Sequence, residues 1–247
     1  MPSISQQTII SVGIFAVVHR LNDTTVRKLP RTDDLENLAG NIQATRNEAY
    51  IYTLLGDDPL IANCLSRSKT EDYVDLQYYA NGTLPDYIDK NKNNISDKLR
   101  AQWSWQVIKA VARIHELGII HGDLALRQYL LDDSLNARLS DFCGSGYPGQ
   151  RALAIEGSSH CLPRDFDRPS TTESDLFALG STLYELWSGE TPFCTLNDQE
   201  IETRYMQADF ADVTGIHCGH IILCCWRREF SSADEVLSQY NKLSLDL

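Results

Sequence analysis

The hydrophobic pattern changes period part-way along the chain, and that change limits the fold more than any other feature. The early apolar residues fall in short β-like runs, Thr8–Ile14, Ala16–Leu21 and Thr24–Leu29, with the turn signal Asn22-Asp23 between the last two. A helical stretch, Leu35–Leu55, interrupts them and stops at Gly56-Asp57-Asp58-Pro59. Leu60–Ser66 and Tyr73–Tyr79 read as strands again. From Leu84 onward the character is helical: Ser96–Leu117 carries Leu99, Trp103, Val107, Ala110, Val111 and Ile114 at three- and four-residue steps, and Gly118 ends it. Ser174–Ser188, Asp198–Ala208, Ile216–Cys225 and Ala233–Leu243 follow as further helices. Strands first and helices after predict an α+β chain with two lobes and a cleft between them.

Composition narrows the function. A formal net charge of −12 disfavours a binder of nucleic-acid backbone, which needs a basic excess. No run of 18 apolar residues exists, so no membrane span is expected. Thr8–Val18 is apolar but lacks the flanks of a signal peptide. Seven cysteines is an odd count, which fits free thiols in a reducing compartment and an intracellular, cytoplasmic location. Cys218, His220, Cys224 and Cys225 could suggest zinc, but the order C-x-H-x3-C-C is not a common zinc spacing, and buried apolar cysteines are the simpler expectation.

Two segments carry a chemical signature: His121-Gly122-Asp123-Leu124-Ala125-Leu126-Arg127-Gln128 and Ser140-Asp141-Phe142-Cys143-Gly144. They resemble the catalytic loop, H-R-D-L-x-x-x-N, and the metal-binding loop, D-F-G, of eukaryotic protein kinases. Thr172–Gly180 looks like that family's D-x-W-S-x-G helix, with Asp175 bracing the catalytic loop, and Cys225-Trp226 resembles its late C-W. The resemblance spans about residues 8–243 and is nearest to compact kinase-like proteins common in fungi, with partly degenerate motifs. It implies a bilobal protein-kinase-like fold. A small β-rich N-lobe with one main helix covers about residues 1–76, a hinge 77–82, and a larger, mostly helical C-lobe 83–247.

The resemblance also implies roles. Asp123 is the expected catalytic base, and Arg127 lies in a stretch, Asp123–Arg127, that echoes tyrosine-kinase loops. Lys28 aligns with the strand lysine that holds the α/β-phosphates, and Glu48 with the helix glutamate that pairs with it. Arg27 is the adjacent alternative, but strand alternation sends one of the two to solvent. Asp141 is the expected magnesium ligand, with Gln128 at the position of a second ligand. For ATP, Gly13 sits in the eroded phosphate loop Ser11–Val18. Val18, Val26 and Leu130 sandwich the adenine, Leu76 closes the pocket, and backbone groups of Gln77 and Tyr79 bond the base. Val26 stands where the family usually has alanine, which narrows the slot.

The departures are specific. Gln128 replaces an asparagine, and magnesium demands near-ideal octahedral geometry at about 2.1 Å, so weaker metal binding is expected. Gly122 replaces the arginine that receives activating phosphate in many kinases. Cys143 replaces the D-F-G glycine, with Gly144 next, which moves the backbone flexibility along by one residue. Leu162-Pro163-Arg164 occupies the A-P-E position, and no late arginine stands near Phe230–Ala233, so both members of the usual ion pair are expected to be lost together. The expected function is a protein kinase using ATP and Mg2+ on a protein hydroxyl. The alternative is a pseudokinase that binds nucleotide or a protein partner, and small-molecule phosphotransfer is a third, weaker option.

Overall fold

The computed structural model describes residues 8–68, 70, 72–92, 94–165 and 167–243. The outermost positions assigned to each lobe, 1–7 and 244–247, lie outside the described residues. Strands β1 (Thr8–Val12), β2 (Ala16–Arg20), β3 (Thr25–Pro30), β4 (Cys64–Arg67) and β5 (Val74–Gln77) form an antiparallel sheet in the order β1-β2-β3-β5-β4. Helix α1 (Leu38–Leu55) packs on this sheet. The remainder is mostly helical: α2 (Leu84–Asn91), α3 (Asp97–Glu116), α4 (Thr172–Ser188), α5 (Asp198–Met206), α6 (Gly219–Trp226) and α7 (Ala233–Tyr240). A two-stranded ribbon, β6 (Tyr129–Leu131) and β7 (Ala137–Leu139), lies at the cleft. This is the bilobal α+β arrangement that the change of period implies.

Two of the boundaries that differ from the sequence expectation have a clear local reason. Residues 60–63 do not extend β4. Leu60 and Ala62 instead exchange backbone hydrogen bonds with Leu139 of β7 at 2.8 Å each, which joins the small lobe to the large one. Helix α1 begins at Leu38 rather than Leu35, because the Asp34 carboxylate accepts from the Asn37 amide and closes a turn first.

The large lobe is built on the amphipathic α3 and the apolar α4, both capped. Ser96 caps α3, and Thr171 with Ser174 forms a reciprocal capping box at the start of α4. Buried indoles find partners, as their N–H groups require. Trp103 donates to the Leu135 carbonyl at 2.8 Å, and Trp226 to Ser181 Oγ at 3.0 Å. Cys218 and Cys225 are buried in this core, and all seven cysteines are free thiols. Among the described residues, no helix is long and apolar enough to cross a membrane.

Candidate active site

Strand alternation decides between the two basic residues of β3. Val26 and Lys28 turn inward and are buried, while Arg27 turns outward to a bidentate pair with Asp75 at 2.7 and 2.9 Å, over the Tyr73 ring. Lys28 Nζ lies 2.8 Å from Glu48 Oε1 and 2.8 Å from Asp141 Oδ1, so three residues distant in sequence meet at one ammonium. Burial works against the charge on Lys28, but Asp141 and Glu48 hold its amine well above the ordinary lysine range. Loss of water pushes the Asp141 carboxyl up and Lys28 pushes it further down, so it lies below the usual carboxylate range. The Asp141 side chain is 48% exposed, while that of Glu48 is fully buried.

The catalytic loop is held from beneath. Asp175 on α4 accepts from the backbone amides of His121 at 2.8 Å and Gly122 at 3.0 Å, and its Oδ2 lies 2.9 Å from His115 Nε2. Phe142 packs between Tyr52 of α1, which it meets edge-to-face, and the tilted ring of His121, with ring centroids 5.4 and 5.5 Å away, which links α1 to both loops. Asp123 faces the cleft edge. Arg127 reaches its Oδ1 at 2.5 Å, and the Gln128 amide donates to its Oδ2 at 2.7 Å and its carbonyl at 3.1 Å. Asp123, Arg127 and Gln128 therefore form one group, and Lys28, Glu48 and Asp141 a second.

The apolar residues expected around the adenine come from both lobes. Val26 and Leu76 are buried, and Val18 and Leu130 are partly so. Gln77 and Tyr79 line a concavity of 510 Å³ together with Asp57, Asp58, Asp132 and Arg138, and the Tyr79 hydroxyl accepts from the Asn63 amide at 3.0 Å. The Gln77 amide donates to the Asn63 carbonyl at 2.9 Å, and the Tyr79 carbonyl accepts from the Gly82 amide at 3.0 Å. Gly13 opens the turn of the phosphate loop, donating to the Ala16 carbonyl at 2.8 Å, and Ile14 beside it is 76% exposed. A larger concavity of 840 Å³ lies elsewhere in the large lobe, against Arg164, Phe177, Tyr205 and Trp226, far from Lys28 in the fold.

One expectation needs correcting, and two substituted positions have partners that the sequence did not show. Arg164, at the position of the A-P-E glutamate, has a partner of its own. It forms a 2.7 Å ion pair with Glu156, whose side chain is fully buried, and also donates to Ser170 Oγ at 2.9 Å. Burial pushes the Glu156 carboxyl up, and Arg164 only partly offsets this. Gly144 does not carry a displaced backbone flexibility: the left-handed residue of the metal loop is Asp141, at φ 64°. Gly144 is required for space, since a Cβ there would lie 2.3 Å from that of Ala154. Cys143 is also no passive replacement, for its thiol donates to Glu48 Oε2 at 3.0 Å. Sequence reasoning missed Glu156 altogether, a single acidic residue in an otherwise featureless loop with no pattern to mark it.

At Gly122 the backbone has φ 74°, and a Cβ would meet that of Ala152 at 3.1 Å. The segment after the metal loop thus packs into the space beside the catalytic loop where an arginine side chain would begin.

A buried lysine–glutamate pair on a five-stranded lobe, facing an aspartate loop on a helical lobe, defines a kinase-type phosphotransfer fold. The model of the protein kinase domain matches residues 14–240, and the chain belongs to the protein kinase family. It is 29% identical over 209 residues to the serine/threonine-protein kinase SIK1 of Mus musculus, covering 80% of this chain and 26% of that protein. It is 28% identical over 176 residues to the serine/threonine-protein kinase PrkC of Bacillus subtilis, covering 68% of this chain and 27% of that protein. The chain thus spans only about a quarter of the length of these relatives.

Proposed function

We propose that this chain transfers the γ-phosphate of ATP to a hydroxyl group of a protein substrate. The observation that carries this most is the Lys28 ammonium fixed at 2.8 Å from both Glu48 and Asp141. Phosphoryl transfer is mainly positioning and charge neutralisation, and this cluster supplies a fixed cation and a half-exposed carboxylate at one place. Lys28 holds the α/β-phosphates, with Glu48 keeping it aimed. Val18, Val26, Leu76 and Leu130 enclose the base, and backbone groups of Gln77 and Tyr79 bond it. Asp123 takes the hydroxyl proton, with Arg127 holding its carboxylate in place.

The oxygen donors of Asp141 and Gln128 suit magnesium, a hard cation. When bound, that ion neutralises charge on the β- and γ-phosphate oxygens. Glu48, Asp141 and Cys143 also converge within 4.8 Å, but Lys28 bonds two of these three and a thiol is a poor magnesium ligand. Seven free thiols support a reducing, intracellular compartment. The Ser/Thr kinases to which the chain is similar favour a serine or threonine acceptor, whereas Asp123–Arg127 echoes tyrosine-kinase loops.

A second reading, a nucleotide-binding or partner-binding scaffold, is favoured by one observation. Both carboxylate oxygens of Asp123 accept hydrogen bonds from the chain itself, Oδ1 from Arg127 and Oδ2 from Gln128. The deciding experiment is the thermal unfolding midpoint with ATP, with and without magnesium, followed by turnover on a generic protein substrate. Ligand at a hundred times its dissociation constant adds about 2.7 kcal/mol, or roughly 5–11 °C for a domain of this size. Phosphotransfer requires a magnesium-dependent rise that Asp141→Asn removes, together with turnover. A rise without turnover leaves the scaffold.

A further inference from the structure

We propose that Cys143 is a positioning residue that fixes the Lys28–Glu48 pair and ties the phosphate loop, helix α1 and the metal loop together; this rests on the phosphotransfer reading. Glu48 is fully buried, so water cannot satisfy its carboxylate. Its Oε1 accepts from Lys28 Nζ at 2.8 Å and from the Phe142 amide at 3.1 Å, and its Oε2 accepts from the Cys143 thiol at 3.0 Å. Two of these three donors come from the metal loop, and one of the two exists only because the residue after Phe142 has a side chain.

Packing repeats the connection. Ala16 of β2, Ala44 of α1 and Cys143 form a small buried apolar cluster, with Phe15 against it. Two positions at which the kinase pattern has glycine, Ala16 and Cys143, therefore contribute side chains to one cluster. Glycine at 143 would remove both the donor to Oε2 and the sulfur from this cluster. The Cys143 thiol is 2% exposed, which makes it an internal tie rather than a reactive group.

The test compares Cys143→Ala, which removes the donor, with Cys143→Ser, which keeps it. Turnover number and KM for ATP are measured for both, and an infrared difference spectrum of wild type against Cys143→Ala isolates the S–H stretch. The turnover number of Cys143→Ala should fall roughly 10- to 100-fold, because Glu48 then loses one of its three donors and no longer aims Lys28 as firmly. KM for ATP should change less than about 3-fold, because the bond orients Glu48 rather than the nucleotide. Cys143→Ser should recover most of the turnover. The S–H band should lie at low frequency and move up in Glu48→Gln. Unchanged turnover in Cys143→Ala, equal damage in both variants, or a band indifferent to Glu48→Gln each overturns the proposal. A wild-type protein without turnover overturns the phosphotransfer reading instead. The band, measured without nucleotide, separates that failure from a failure of the tie.

Discussion

Two of the molecule's buried ion pairs obey different constraints. Lys28 meets Glu48 across 20 residues and Asp141 across 113, with each charge in the order the kinase pattern prescribes. Glu156 and Arg164 lie eight residues apart, and the order is inverted, with the cation at the position where the pattern has glutamate. Under the proposed function the sign at the first pair is set by chemistry, because a carboxylate in place of Lys28 would face phosphate. The second pair only closes one loop on another. There the requirement is neutrality out of water, which either order satisfies. A position can thus depart from a family pattern and still be filled, provided its task is mechanical.

The sharpest way to break this contrast is to remove one charge from each region. Lys28→Met or Asp123→Asn should reduce turnover by about 10²–10⁴-fold, as steady-state assays would show. Asp123→Asn should barely move the unfolding midpoint in calorimetry, whereas Lys28→Met should also lower it, because the fully buried Glu48 loses its cation. Arg164→Met should lower the midpoint and leave turnover nearly intact. It leaves Glu156 buried without its partner, at a cost of about 3–5 kcal/mol, or roughly 6–20 °C in midpoint. The double variant Glu156→Leu with Arg164→Met should recover most of that loss. If it does not, the brace is more than a neutral pair.

pH sharpens the same comparison. Burial raises the Glu156 carboxyl in the folded protein, so the folded state binds its proton more readily than the unfolded one. Its contribution therefore favours folding below the unfolded pKa and is lost as pH rises through the folded pKa. In Arg164→Met, where nothing offsets burial, the deficit against wild type should shrink as pH is lowered from 7 towards 5 in denaturant titrations. Asp141 has the opposite sign: Lys28 lowers its carboxyl, so its contribution is present above the unfolded pKa and lost as pH falls through the folded one.

Two smaller changes probe the mechanical region further. Gly122→Arg restores the arginine of the family pattern in name but meets φ 74° and Ala152, so it should destabilise by about 1–2 kcal/mol rather than create a phosphate switch. Thr171→Ala removes the cap of α4 and should cost about 1 kcal/mol by urea unfolding, with turnover barely altered.

Much of this was legible before any coordinates. The period-two alternation that buries Val26 and Lys28 and exposes Arg27 is written in adjacent residues, as are the helical stripe of Ser96–Leu117 and the loops around Asp123 and Asp141. Those features follow from spacing along the chain, because a strand or helix presents its faces at fixed intervals whatever surrounds it. Tertiary structure alone decided that residues 60–63 bond Leu139 instead of extending β4, that Arg164 finds Glu156, that Gly144 yields room to Ala154, and that the Cys143 thiol reaches Glu48. These contacts join loops, whose residues follow no period, and they form only after the chain has turned back on itself. The local sequence specifies the charge or the volume, and the path of the backbone selects what it meets.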